Sequence, residues 1–174
     1  LSSFTGMGNV SIIEGWITIK DNPSLQNIGA LQSVSSVVIQ ICIINNDALI
    51  NLTGLGGITE IEGIVQIMNN NSLESLCGLE NINPNSIGNL HITNNDSLST
   101  CDVQSICEYL VSPNGPIIIY DNAPGCNSQE EVEEACLTSV EENTFKEELT
   151  LFPNPATSFI TIHIKEGIAI EEAI

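Results

Sequence analysis

Six cysteines and two histidines are the residues of this 174-residue chain best suited to chemistry. Cys101, Cys107, Cys126 and Cys136 crowd into one stretch, where thiols either pair as disulfides or share a metal ion. No C-x-x-C pair occurs, and His91 and His163 lie far from the cluster in sequence, so the spacing favours disulfides over metal. Four cysteines permit three pairings, and the residues alone leave all three open. Cys42 and Cys77 stand singly and read as small fillers first, a third bridge second. Nucleophilic catalysis needs a base within hydrogen-bond reach of a serine or thiol. His91 falls on an outward strand position and His163 in a separate tail, so no shared site is expected. Paired carboxylates such as Glu60 and Glu62 read as polar surface. Asn45-Asn46-Asp47 and Asn94-Asn95-Asp96 read as turns, because no D-x-[DN]-x-[DN]-G calcium loop accompanies them. No catalytic residue, cofactor or metal is expected within this chain.

The charge balance narrows the partners. The chain carries 22 acidic residues against 3 lysines and no arginine, a formal net charge of -19. Binding a phosphate backbone needs basic side chains that displace counterions, so nucleic acid is excluded. Anionic membrane surfaces are disfavoured for the same reason, and no apolar run approaches the roughly 20 residues that span a bilayer. Hydrophobic residues make up 42% of the chain and aromatics only 4%. That ratio favours many thin aliphatic layers over a core built around large rings.

Such layers are written into the sequence as a repeat. The doublets Asp21-Asn22, Asn45-Asn46, Asn69-Asn70, Asn94-Asn95 and Asp121-Asn122 recur at spacings of 24, 24, 25 and 27 residues. Aliphatic residues follow three apart, as in Leu49, Leu52, Leu55 and Leu73, Leu76, Leu79. Before each doublet stands a short alternating run: Ile17 and Ile19, Ile41 and Ile43, Val65 and Ile67, Leu90 and Ile92, Ile117 and Ile119. Phe4 to Asn22 aligns with Leu52 to Asn70 two periods on, so the chain opens mid-repeat and further repeats are expected upstream. One such unit cannot bury its own apolar face. Stacked units place each strand beside the next in a parallel sheet and line the leucines into interior ladders. The asparagines are expected to close the turns, and when stacked to form a buried ladder. Gly6, Gly54 and Gly78, with Ala30, mark a second corner where a side chain would crowd the neighbouring coil. The expected fold is a β-solenoid of about 24 residues per coil.

The run Asn70-Asn71-Ser72-Leu73, then Leu76, Gly78, Leu79, Ile82, Leu90, Ile92 and Asn94-Asn95, resembles the receptor L domain. The resemblance covers residues 1 to 136 and implies a right-handed, leucine-rich-repeat-like parallel β-helix. It implies ligand binding too, but no particular ligand. The solenoid repeats are assigned to residues 1–100 and the last coil, with its cysteine-bearing cap, to 101–136. Within the cap, Val103, Ile106, Cys107 and Leu110 have helical spacing with Asp102 as a candidate cap. Ser128 and Glu131 form a capping box that opens a second short helix through Val132 to Cys136. By analogy with the interleaved caps of leucine-rich repeat proteins, the pairs implied are Cys101–Cys126 and Cys107–Cys136.

Eleven of the 22 acids lie from Glu130 onward, and residues 137–150 read as an acidic linker. Residues 151–174 follow as a truncated β tail. There Leu151-Phe152-Pro153-Asn154-Pro155-Ala156, leading into an alternating run through Ile160, Ile162 and Ile164, resembles the opening of a type A C-terminal sorting domain of the type IX secretion system. That resemblance, carried by Pro153, Asn154 and Pro155, implies a Bacteroidota-type bacterium. It also implies the secretion machinery as a partner and release from the cell or fixation to the outer-membrane surface. Disulfides persist in that setting.

Outward strand positions then carry the expected function. With period 2, the exposed sheet presents Trp16, Thr18, Lys20, Gln40, Cys42, Ile44, Ile64, Gln66, Met68, His91, Thr93, Ile118 and Tyr120. This face is short of charge in a strongly acidic protein and holds the aromatic types that dominate binding hot spots. Trp16, Thr18, Lys20, Gln66, Met68, His91 and Tyr120 are the candidate ligand-binding residues. The expected function is a non-enzymatic, secreted or surface-held recognition or adhesion module for an extracellular protein or glycan. The alternative is a structural spacer in a larger secreted hydrolase whose catalytic domain lies upstream.

Overall fold

A computed structural model of the chain describes residue 4, residues 6–35 and residues 38–144. Five strands form one sheet: β1 (Gly15–Lys20), β2 (Val38–Ile44), β3 (Ile64–Met68), β4 (Asn89–Asn95) and β5 (Ile117–Asn122). Every pairing is parallel, and the strands lie in chain order. Except at Leu90, β-branched residues fill the inward positions, which suits a pleated, half-buried surface. Ile17, Ile41, Val65, Leu90 and Ile117 are in register across the sheet. So are Ile19, Ile43, Ile67, Ile92 and Ile119. The all-parallel sheet is compatible with the expected solenoid.

A doublet closes each strand: β1, β2 and β3 stop just before it, and β4 and β5 run through it. Asp21, Asn45, Asn69, Asn94 and Asp121 all have φ between 53° and 58°, a left-handed conformation that Asn and Asp tolerate best among residues with a side chain. The turn sends the second asparagine inward. Asn46, Asn70 and Asn95 are fully buried, and each is hydrogen-bonded to the repeats on both sides. The Asn70 side-chain amide donates to the carbonyls of Ile43 and Met68, both at 3.0 Å. Its Oδ1 accepts from the backbone N–H of Asn46 at 3.0 Å. The expected ladder is therefore present, and it satisfies backbone groups that the turn would otherwise strand in the core. Asn122 closes it, donating to Ile92 and Cys126 carbonyls.

The loops return the chain through short 3-10 turns, and Leu25, Leu49, Leu73 and Leu98 sink fully into the core. At the second corner a Cβ on Gly54 would stand 2.0 Å from the Ile28 carbonyl oxygen. One on Gly78 would stand equally close to that of Leu52. At Gly6, which has no earlier repeat beside it among the described residues, a Cβ would meet nothing within 4 Å.

Two helices flank β5, α1 (Gln104–Val111) before it and α2 (Gln129–Thr144) after it. Disulfides join Cys101 to Cys126 and Cys107 to Cys136, with Cα separations of 5.7 and 5.6 Å. Asp102 does not cap α1: Val103 takes the cap position, and no side chain bonds the first turn. At α2 the Ser128 hydroxyl accepts from the Glu131 N–H at 3.3 Å. The Glu131 carboxylate turns back to the N–H groups of Gly125 and Asn127 instead of that of Ser128. The capping box thus becomes a clamp on the preceding loop. α2 runs past Cys136 into the segment expected to be linker, since its glutamates and alanine are good helix formers with no Gly or Pro to stop them. Tyr109, fully buried, fills the space between helix and sheet, its hydroxyl lying 3.1 Å from the Gly88 oxygen and 3.2 Å from that of Gly115. Among the described residues no helix is long and apolar enough to cross a membrane.

Candidate outward-face binding site

The strand register arranges the outward side chains in three rows. The first begins with Trp16 beside Gln40 and continues through Ile64 and Asn89. The second is Thr18, Cys42, Gln66, His91 and Ile118. The third is Lys20, Ile44, Met68, Thr93 and Tyr120. All seven candidate residues therefore share one face of the sheet. None of these outward positions is a carboxylate, although the chain as a whole carries -19.

Exposure is uneven along the face. Trp16 is 67% exposed and Tyr120 48%. Gln66, Met68 and His91 are half-buried at the middle. Cys42 and Thr93, expected among the exposed positions, are only 6% and 2% accessible. Parallel stacking is the reason. A short side chain between longer neighbours in its row is covered by them, here Thr93 between Met68 and Tyr120. Burial pushes the pKa of the Cys42 thiol up, leaving it a weak nucleophile.

The polar groups at the centre have weak partners. The Gln66 amide donates to the Met68 sulfur at 2.9 Å and accepts from the Cys42 thiol at 3.6 Å. Sulfur is a poor hydrogen-bonding atom in both roles. The Thr93 hydroxyl is buried with no hydrogen-bond partner. At the end of the third row, Lys20 lies 3.9 Å from Asp21 in an exposed ion pair that contributes little.

Two depressions were not foreseen. One, of about 150 Å³, lies at the outer edge of β1 and is lined by Phe4, Met7, Ile13, Trp16, Ile19 and Leu31. The other, of about 170 Å³, lies between the helices beside the Cys107–Cys136 bridge and is lined by Leu110, Val111, Glu133 and Leu137 as well. Val111 stands off the helical stripe that marked the α1 core, and Leu137 lies where linker was expected, so neither was singled out. No group of three or more His, Cys, Asp or Glu residues is placed to hold a metal among the described residues. Cys42 and Cys77 are not in disulfides. Pro153, Asn154 and Pro155 lie outside the described residues. No protein-family model matches the chain, and comparison with curated proteins and with solved structures yields no match.

Proposed function

We propose that this chain is a stretch of right-handed, leucine-rich-repeat-like β-solenoid of the receptor L type, acting as a non-enzymatic recognition or adhesion module. Its partner is an extracellular protein or glycan, bound on the outward face of the sheet. The observation that carries this reading is a face free of carboxylates, with Trp16 and Tyr120 exposed toward opposite ends, on a strongly acidic protein. Large exposed aromatics on a neutral patch are the anchors that recognition surfaces use. The two disulfides support an oxidising compartment. Secretion through the type IX machinery of a Bacteroidota-type bacterium, to the medium or the cell surface, rests on the Pro153-Asn154-Pro155 motif.

A panel of immobilised glycans and purified matrix proteins tests the reading. The protein should bind at least one member, and the double variant Trp16→Ala/Tyr120→Ala should lose that binding with its melting temperature unchanged. Undiminished binding by the double variant would place recognition elsewhere.

A further inference from the structure

The two poorly satisfied polar groups of the outward face are neighbours. Gln66 on β3 is in register with His91 on β4, and Met68 with Thr93, so these four residues form one patch at the middle of the sheet. A buried hydroxyl without a partner costs free energy that a folded protein ordinarily avoids. A glutamine held only by two sulfurs is nearly as poorly served. Both groups are improved by a ligand that brings hydroxyls, which donate and accept at once. Met68, unbranched and adaptable, is the neighbour of Thr93 on β3 and can swing aside to admit one.

The surroundings define the rest of the ligand. Trp16 and Tyr120 offer exposed ring faces on β1 and β5. Four strand spacings separate these strands, about 19 Å, which calls for an extended oligomer and not a single small molecule. Apart from Lys20 the face presents no fixed charge to pair with an acidic group, and no carboxylate to attract a cation. Alternating hydroxyls and C–H faces, extended length and neutrality together describe one chemical class. Building on the recognition reading above, we infer that the outward sheet binds a neutral oligosaccharide, with Gln66 and Thr93 as the hydrogen-bonding centre and Trp16 and Tyr120 as stacking platforms.

Calorimetric titration of the whole chain with cellohexaose, chitohexaose, mannohexaose and, as the anionic control, hexagalacturonate tests the inference. At least one neutral hexasaccharide should bind. Gln66→Ala and Thr93→Val should each weaken it by about tenfold, the loss of one hydrogen bond, and Trp16→Ala/Tyr120→Ala should abolish it. Thr93→Val keeps the side-chain shape and removes an unpaired buried hydroxyl, so it should fold at least as stably as the parent. Absence of binding to every neutral hexasaccharide would overturn the inference. Binding of hexagalacturonate alone, lost in the aromatic double variant, would overturn the neutral-sugar assignment while leaving recognition by this face standing. Neutral-sugar binding that all the variants retain would overturn the assigned site and place recognition elsewhere on the chain.

Discussion

Between Gly15 and Asn95 the chain is held by contacts that recur one repeat apart, the Asn hydrogen bonds linking residues 24 or 25 positions from each other. From Cys101 to Cys136 the ladder reaches only Asn122, and two disulfides spanning 25 and 29 residues are added. The repeats of β2, β3 and β4 have a neighbour on each side to bury their aliphatic edge. Among the described residues the segment from Cys101 to Cys136 has one on one side only, and α2 spends much of its surface on glutamates. A segment that buries less needs another source of stability, and cross-links supply it by restricting the unfolded chain. Periodic hydrogen bonding and disulfides thus do equivalent jobs at different places in one stack.

The largest effect should come from the ladder. Asn70→Ala strands the buried N–H of Asn46 and takes a donor from the Ile43 and Met68 carbonyls. Urea denaturation should show a loss of about 4 kcal/mol. Asn22→Ala, at the half-buried end of the ladder, should cost about 1 kcal/mol. Equal losses at the two positions would mean that the ladder is not what holds the repeats.

Next come the cross-links. Replacing either disulfide by a pair of serines should cost about 3 kcal/mol. The two should differ in access, because Cys101 and Cys126 are buried whereas Cys107 and Cys136 are partly open to solvent. Mild dithiothreitol, followed by alkylation and mass spectrometry, should therefore label Cys107 and Cys136 first. Labelling of Cys101 and Cys126 first would contradict the burial argument.

Smaller effects separate the face from the core. Thr93→Val should raise stability by up to about 1 kcal/mol, because it removes an orphaned hydroxyl without leaving a cavity. A loss of stability would show that the hydroxyl has a partner, such as a bound water. Smallest of all is the effect of Glu130, at the exposed start of α2. Its own backbone N–H and the Ser128 side chain hold its carboxyl below the usual range. The folded state thus binds its proton less readily than the unfolded one, and the resulting stability is present above the usual carboxylate range. It is lost as pH falls through the lowered folded value. Glu130→Gln should slightly flatten the acid side of the melting profile.

The sheet was legible almost to the residue. A spacing of 24 between doublets demands that Ile17 meet Ile41 and that Ile41 meet Val65, and the register obeys. Insertions of one and three residues before Asn95 and Asn122 are absorbed in the loops, leaving Val65 opposite Leu90 and Leu90 opposite Ile117. Period 2 with one buried face leaves little freedom. The covering of Cys42 and Thr93 was not legible, because it depends on what stands beside them in neighbouring strands and not on their own periodicity. Nor was the length of α2, whose acidic residues serve equally well in a linker and in a solvated helix. The disulfide pairing was open to the residues and came only by analogy.

Trp16 is the sole tryptophan of the chain, so its fluorescence reports the outward face without mutation. Titration with whichever partner binds should shift and intensify its emission in step with calorimetric saturation, as the exposed indole is covered. Saturating binding that leaves Trp16 emission unchanged would contradict the assignment of recognition to this sheet.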